Sequence, residues 1–127
     1  MKLGNRQIGA VGVAKVAAAL LRNGYSVLTP MEDFSGYDLV AEKDGKFHRI
    51  QVKATAGMEL GKTFYRFITC KGSKKKTQYY GSHVDYVVCH ALPEDLFWLL
   101  PVKQCRASSK KFYPRSGSSW RILSELS

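Results

Sequence analysis

Hydrophobic and polar positions alternate in two different rhythms along this chain. From Arg6 to Tyr25, "RQIGAVGVAKVAAALLRNGY", apolar residues return at Ile8, Val11, Val16 and Leu20, and Ala and Leu fill most of the remainder. That spacing predicts a helix, closed by Gly24 after Arg22 and Asn23, because glycine tolerates the left-handed backbone on which helices end. A two-residue rhythm then takes over. "YSVLTP" predicts a short strand stopped by Pro30, and the polar loop "MEDFSG" leads into "GYDLVAEKDGKFHRIQVKAT", Gly36 to Thr55. This second segment reads as a hairpin turning at Asp44-Gly45. Further strands are predicted at Phe64–Thr69, Asp85–Ala91 and Leu96–Val102, the last two joined by the turn "LPED". The order α-β-ββ-β-β-β predicts an α/β (α+β) domain, a mixed central sheet flanked by helices. With 127 residues the chain has room for one core, so residues 1–127 form a single domain.

The hairpin turn sets the register. If Asp44-Gly45 is a two-residue turn, Lys43 faces Lys46, every cross-strand pair sums to 89, and Asp38 faces Gln51. Alternation then puts Tyr37, Leu39, Ala41, Ile50, Val52 and Ala54 on one nearly apolar face. Asp38, Gln51 and Lys53 share the other. As a solvated face this holds an Asp38–Lys53 ion pair worth at most about 1 kcal/mol. The helix and the first strand both need surface to bury, however, and that argues against a wholly wet face. The same three groups supply what metal-assisted phosphodiester cleavage needs: a carboxylate and a neighbouring carbonyl oxygen for a hard divalent ion, and an ammonium for developing phosphate charge.

Charge adds a partner class. The chain carries 20 Lys+Arg against 10 Asp+Glu, a net charge of +10. The excess is concentrated: Leu60–Val84 and Leu96–Ser124 each hold six basic residues and no acid, interleaved with aromatics in "FYRF", "KKKTQYY" and "KKFYPRSGSSW". Cations neutralise phosphates while aromatic rings stack on bases or wedge into a groove, so the pattern points to nucleic acid. "GSKKKT" taken alone reads equally as a solvated hairpin loop. No apolar run is long enough to span a bilayer, and Lys15 interrupts the only stretch resembling a signal peptide. Cys70, Cys89 and Cys105 are odd in number and widely spaced, which fits a reducing, cytoplasmic setting. His83, Cys89 and His90 lie close together, but Cys89 and His90 fall in an apolar strand and read as core residues, not metal ligands.

Asp38 followed by "QVK", Gln51-Val52-Lys53, resembles the PD-(D/E)XK nucleases, whose motif is an Asp, a variable gap and (Asp/Glu/Gln)-x-Lys on the next strand. The Gln and the thirteen-residue gap are most similar to the group I intron homing endonuclease branch. "LLRNGYSVLTP", "SGYDLV", "VDYVV" and "FWLLPV" extend the likeness over roughly Gly9 to Val102. The resemblance implies a metal-dependent DNA endonuclease using Mg²⁺ or Mn²⁺ on double-stranded DNA, as a homodimer or homotetramer and without a membrane. Asp38 would be the metal carboxylate, Gln51 a neutral oxygen ligand, the Val52 carbonyl a further ligand and Lys53 the catalytic cation. The duplex would be gripped by Lys71, Lys74, Lys75, Lys76 and Tyr79 on one arm and by Lys110, Lys111 and Arg115 on the other, with segment 103–127 part of that surface. Family members usually carry Glu after Gly in the first helix, where this chain has Gly12-Val13, and no acid precedes Glu32. Glu32 and Asp33 are the nearest acids able to compensate. A Holliday-junction resolvase-like nuclease and a catalytically inactive DNA-binding protein on the same fold are the alternatives.

Overall fold

The computed structural model describes residues 2–32, 35–71, 77–78, 83–105 and 109–127. Helix α1 runs Asn5–Arg22, with Asn23 as its cap. Gly24 follows at φ +87°, and the Gly24 and Tyr25 N–H groups donate back to the Leu21 and Leu20 carbonyls at 3.0 and 3.1 Å. Chain reversal is therefore complete before β1, Ser26–Leu28, begins. Strands β2 (Leu39–Lys43) and β3 (Lys46–Thr55) form the expected hairpin, with Lys43 opposite Lys46 and Leu39 opposite Ile50. Asp44 and Gly45 both have positive φ, 53° and 80°, as this turn requires.

From β3 the chain leaves the sheet through β4 (Tyr65–Ile68) and the short pair β5 (Cys70–Lys71) and β6 (Thr77–Gln78). It returns as β7, Tyr86–Ala91, parallel to β3, and turns into the antiparallel β8, Leu96–Pro101. The resulting five-stranded sheet has the order β1-β2-β3-β7-β8 and one parallel pair, hence a mixed sheet. A parallel pair needs a long crossover, and here that crossover also covers the sheet. Strand β9, Ser109–Phe112, pairs antiparallel with β4, and this ribbon lies across one face.

Each face of the sheet carries a buried cluster. On one, Val16 and Leu20 of α1 pack on Leu39, Ala41, Ile50, Val52 and Val88, together with Leu123 from the 3₁₀ helix Trp120–Glu125. Gly12 lets α1 approach closely, since a Cβ there would lie 2.5 Å from the Ala54 Cβ. On the other face Tyr65, Phe67 and Phe112 of the ribbon pack on Val87, Cys89, Trp98 and Leu100. Phe112 stacks on Trp98 at 5.0 Å between ring centroids. β7 reads as a continuous apolar run because neither of its sides meets water. α1 and the Trp120–Glu125 turn thus flank one face, and the β-ribbon, with Val102 of the 3₁₀ turn Val102–Gln104, closes the other. Cys89 and Cys105 are buried free thiols, both pushed up in pKa by that burial.

Candidate active site

The expected register holds from Lys43 back to Leu39 and then breaks. The Asp38 N–H donates to the Ile50 carbonyl at 2.8 Å, a partner already opposite Leu39. The slip ends β2 and transfers Tyr37, expected beside Leu39, to the opposite side, where it packs with the Trp98 cluster. Hydrophobic burial of the tyrosine outweighs continuation of the pleat.

β2 stops one residue short, so the β3 edge beyond Ile50 has lost its strand partner. Asp38 takes that place with its side chain. Its Oδ2 accepts from the Val52 N–H at 2.8 Å and from Gln51 Nε2 at 3.0 Å. The N–H and C=O of one strand residue point to the same side, so the Val52 carbonyl also faces this edge beside Asp38. Gln51 and Lys53 project from the face covered by the ribbon, next to Val87 and Cys89 in register. Asp38, Gln51 and Lys53 are all half-buried. Burial pushes the Asp38 carboxyl up from 3.8, against the opposing pull of the Val52 N–H and the Lys53 charge. The structure therefore brings Asp38, Gln51, Val52 and Lys53 together.

Two further residues hold this edge in place. Arg49 sits two positions before Gln51 and grips Asp85 at the start of β7. Its Nε and backbone N–H donate to Oδ2 at 3.1 and 2.7 Å, and Nη2 donates to Oδ1 at 3.0 Å. The Asp85 N–H returns to the Arg49 carbonyl at 2.9 Å. This clamp aligns β7 against β3 where the polar cluster begins. "RIQVK" and "VDYVV" contain its residues, but nothing local in either segment links them.

The edge offers two oxygen donors of the kind a hard divalent cation prefers, the Asp38 carboxylate and the Val52 carbonyl, with the Gln51 amide beside them turning its N–H to Asp38. They fit such an ion with a single formal negative charge. Val13 packs against the helix-side core that holds Leu39 and Val52, so the helix contributes a methyl-bearing wall and no carboxylate. Glu32 is exposed, and Asp33 lies outside the described residues. Among the described residues no three His, Cys, Asp or Glu side chains gather as a metal site. His90 is fully buried and hydrogen-bonds Asp95 at 2.7 Å.

The basic arms divide. Lys74, Lys75, Lys76 and Tyr79 lie outside the described residues, and only the backbone of Lys71 is described, in β5. Lys111 and Arg115 are exposed, Lys111 5.2 Å above the Phe64 ring and Arg115 5.2 Å above Tyr113. Arg66, beside Lys111 in the ribbon, is exposed and paired with Glu59. Lys110 is half-buried on the ribbon's inner side. The distal tail instead enters the core, with Leu123 fully buried and Arg22 of α1 3.9 Å above the Trp120 ring.

No helix among the described residues is long and apolar enough to cross a membrane. No curated protein sequence matches the chain significantly. Among solved structures, a bacterial homing endonuclease is similar over 97% of this chain and 95% of its own, with a TM-score of 0.80 and 21% identity. A Holliday junction resolvase from the archaeal hyperthermophile Archaeoglobus fulgidus is similar over 91% of this chain and 94% of its own, with a TM-score of 0.56 and 13% identity. A family model described as PD-(D/E)XK endonuclease matches residues 3–118, from just before α1 to the segment bridging β8. The chain belongs to the PD-(D/E)XK endonuclease family.

Proposed function

We propose that this protein is a metal-dependent, homing-endonuclease-like DNA endonuclease that hydrolyses phosphodiester bonds, with Asp38, Gln51 and Lys53 as its catalytic set. The observation that carries the reading is the convergence at the β3 edge: Asp38 bonded to Gln51 and to the Val52 N–H, with the Lys53 charge acting on the same carboxylate. Family nucleases generally use divalent ions, and Mg²⁺ or Mn²⁺ would be held by the Asp38 carboxylate, the Gln51 amide oxygen and the Val52 carbonyl. Such an ion, when bound, supplies Lewis-acid activation of phosphate and water. Lys53 offsets negative charge that develops on the phosphate. Gln51, now donating its amide N–H to Asp38, presents its carbonyl oxygen after a half-turn of the amide. The Arg49–Asp85 clamp keeps β3 and β7 in register beneath the reacting group.

Double-stranded DNA is the substrate favoured by the +10 charge and by Lys111 and Arg115, each set over an aromatic ring on the ribbon side. A homodimer or homotetramer would supply the two sites a double-strand cut requires. The buried free thiols of Cys89 and Cys105 suit a cytoplasmic setting. A second reading has one specific support: Val13 stands where the family carries Glu, so a binding protein with lost cleavage is consistent with the same fold.

Nicking and cleavage of supercoiled plasmid and of a four-way junction, with Mg²⁺, Mn²⁺ or EDTA, test the proposal. Metal-dependent cutting that disappears in Lys53→Ala supports it, and preference for the junction would move the reading towards a resolvase. Tight, salt-sensitive binding without cutting by either the wild type or Val13→Glu would replace it with the binding protein.

A further inference from the structure

Lys110 faces the opposite way from its neighbour. In the β4–β9 ribbon it stands opposite Phe67, and residues directly opposite in an antiparallel pair share a face. Phe67 is 3% exposed and packs on the sheet, with Phe112 beside it, so Lys110 also points inward. Lys111, opposite the exposed Arg66, points out. The inner side is the one from which Gln51 and Lys53 project, in register with Val87 and Cys89.

Position along the strand agrees. The ribbon end at Tyr65 is tied to the β7–β8 turn by the Tyr65 hydroxyl, which donates to Glu94. Phe67, and Lys110 opposite it, stand two residues along β4 from that tie, in the same cluster that Tyr37 joins. Two observations from charge fit this placement. The Lys110 and Lys53 ammonium groups act on the same buried Cys89 thiol, and Lys110 acts on Cys105 as well. Lys110 has no ion pair or hydrogen bond among the described residues, although it is half-buried. A half-buried cation without a carboxylate is costly, and phosphate is the anion that the proposed reaction brings to this face.

Resting on the nuclease reading above, we propose that Lys110 is a second cation of the cleavage site. Its ammonium meets the phosphate lying over Gln51 and Lys53, whereas Lys111 grips the duplex backbone from outside. The two adjacent lysines of β9 thus divide the work, one acting on the reacting group and the other on affinity.

The test uses the full chain. Lys110→Met keeps the aliphatic stem and removes the charge. In single turnover on saturating supercoiled plasmid it should slow nicking by about 100-fold, as loss of one charge-stabilising donor does. Its duplex affinity in Ca²⁺ should stay close to wild type. Lys111→Ala should weaken binding and lower the salt dependence by about one phosphate contact. If Lys110→Met instead weakens binding at an unchanged saturated rate, the proposal is overturned. Acetylation footprinting of the wild type is independent of cutting and of how the variant folds. Joint protection of Lys53 and Lys110 by bound duplex supports a shared phosphate. Lys110 acetylated as fast as in the free protein, with Lys111 protected, overturns it. A wild type that never cuts defeats the nuclease reading by itself, and the footprint then decides where Lys110 meets DNA.

Discussion

Gly12→Ala should destabilise the protein even though alanine is the better helix former. The Cβ added at position 12 would lie 2.5 Å from the Ala54 Cβ and 3.5 Å from Val52 Cγ1. Non-bonded carbons settle about 3.5–4.0 Å apart, so α1 must retreat from β3 by roughly 1 Å. Ala54 yields little, because its Cβ is carried directly by backbone held in register with His90 of β7. Overpacking of this kind costs about 1–3 kcal/mol, against about 1 kcal/mol gained in helix propensity. Gly9 in the same helix is exposed, and a Cβ there meets nothing within 4 Å. Gly9→Ala should therefore stabilise by up to about 1 kcal/mol. Urea unfolding followed by circular dichroism should separate the two variants by about 2 kcal/mol, or roughly 1–2 M in midpoint for a chain of this size. Equal shifts of the same sign would refute the close approach of α1 to β3.

Val13→Glu should tighten divalent-ion binding, measured by calorimetry on the folded protein, while lowering stability by about 1–2 kcal/mol because the core side of α1 loses an apolar contact. Asp38→Asn should abolish cutting yet raise the melting temperature at pH 7 by about 3 °C. Burial holds the folded-state Asp38 carboxyl above its unfolded value of 3.8, so ionisation opposes folding at neutral pH. That advantage of Asn should fade as pH falls through the raised folded value and vanish below 3.8, where the carboxyl is protonated in both states. Asp85 behaves in the opposite sense. Burial pushes its carboxyl up, but the hydrogen bonds and charge of Arg49 outweigh this and hold it below 3.8. Asp85→Asn should cost about 1–2 kcal/mol at pH 7. In parallel urea titrations the difference should persist above pH 3.8 and vanish as pH falls through the depressed value.

How much of this could be read in advance depends on the distance over which each feature is decided. The β2–β3 register was legible because two adjacent residues, Asp44 and Gly45, determine it and both adopt positive φ. Helix α1 and its stop at Gly24 were legible for the same reason. The slip at Asp38 was not: it arises where Tyr37 meets Trp98-side residues distant in sequence. The pairing of Phe67 with Lys110 joins segments some forty residues apart without a turn between them, so the inward aim of Lys110 had no local signal. No element was predicted in the tail because 3₁₀ turns carry neither a two-residue nor a 3.6-residue period. Asp38, Gln51 and Lys53 were recognisable as a group because the hairpin turn puts them in one neighbourhood, although the direct Asp38–Gln51 pairing it implied gives way to the bond from Asp38 to the Ile50 carbonyl. The Val52 N–H that Asp38 captures depends on β2 ending early.

The Trp120–Glu125 turn has a consequence for how the chain acquires its shape during synthesis. Leu123 is wholly buried against α1 and the sheet, and Asn23 at the end of α1 bonds the Trp120 carbonyl at 2.9 Å. Elements separated by almost the whole chain thus close the helix-side core together. A nascent chain that has released β8 holds every residue of the proposed catalytic set but still exposes an apolar seam between α1 and the sheet. The helix-side wall therefore closes only once residues 120–125 have joined α1 and the sheet. Interference with that final turn should appear first as aggregation during expression, before any change in the chemistry at Asp38.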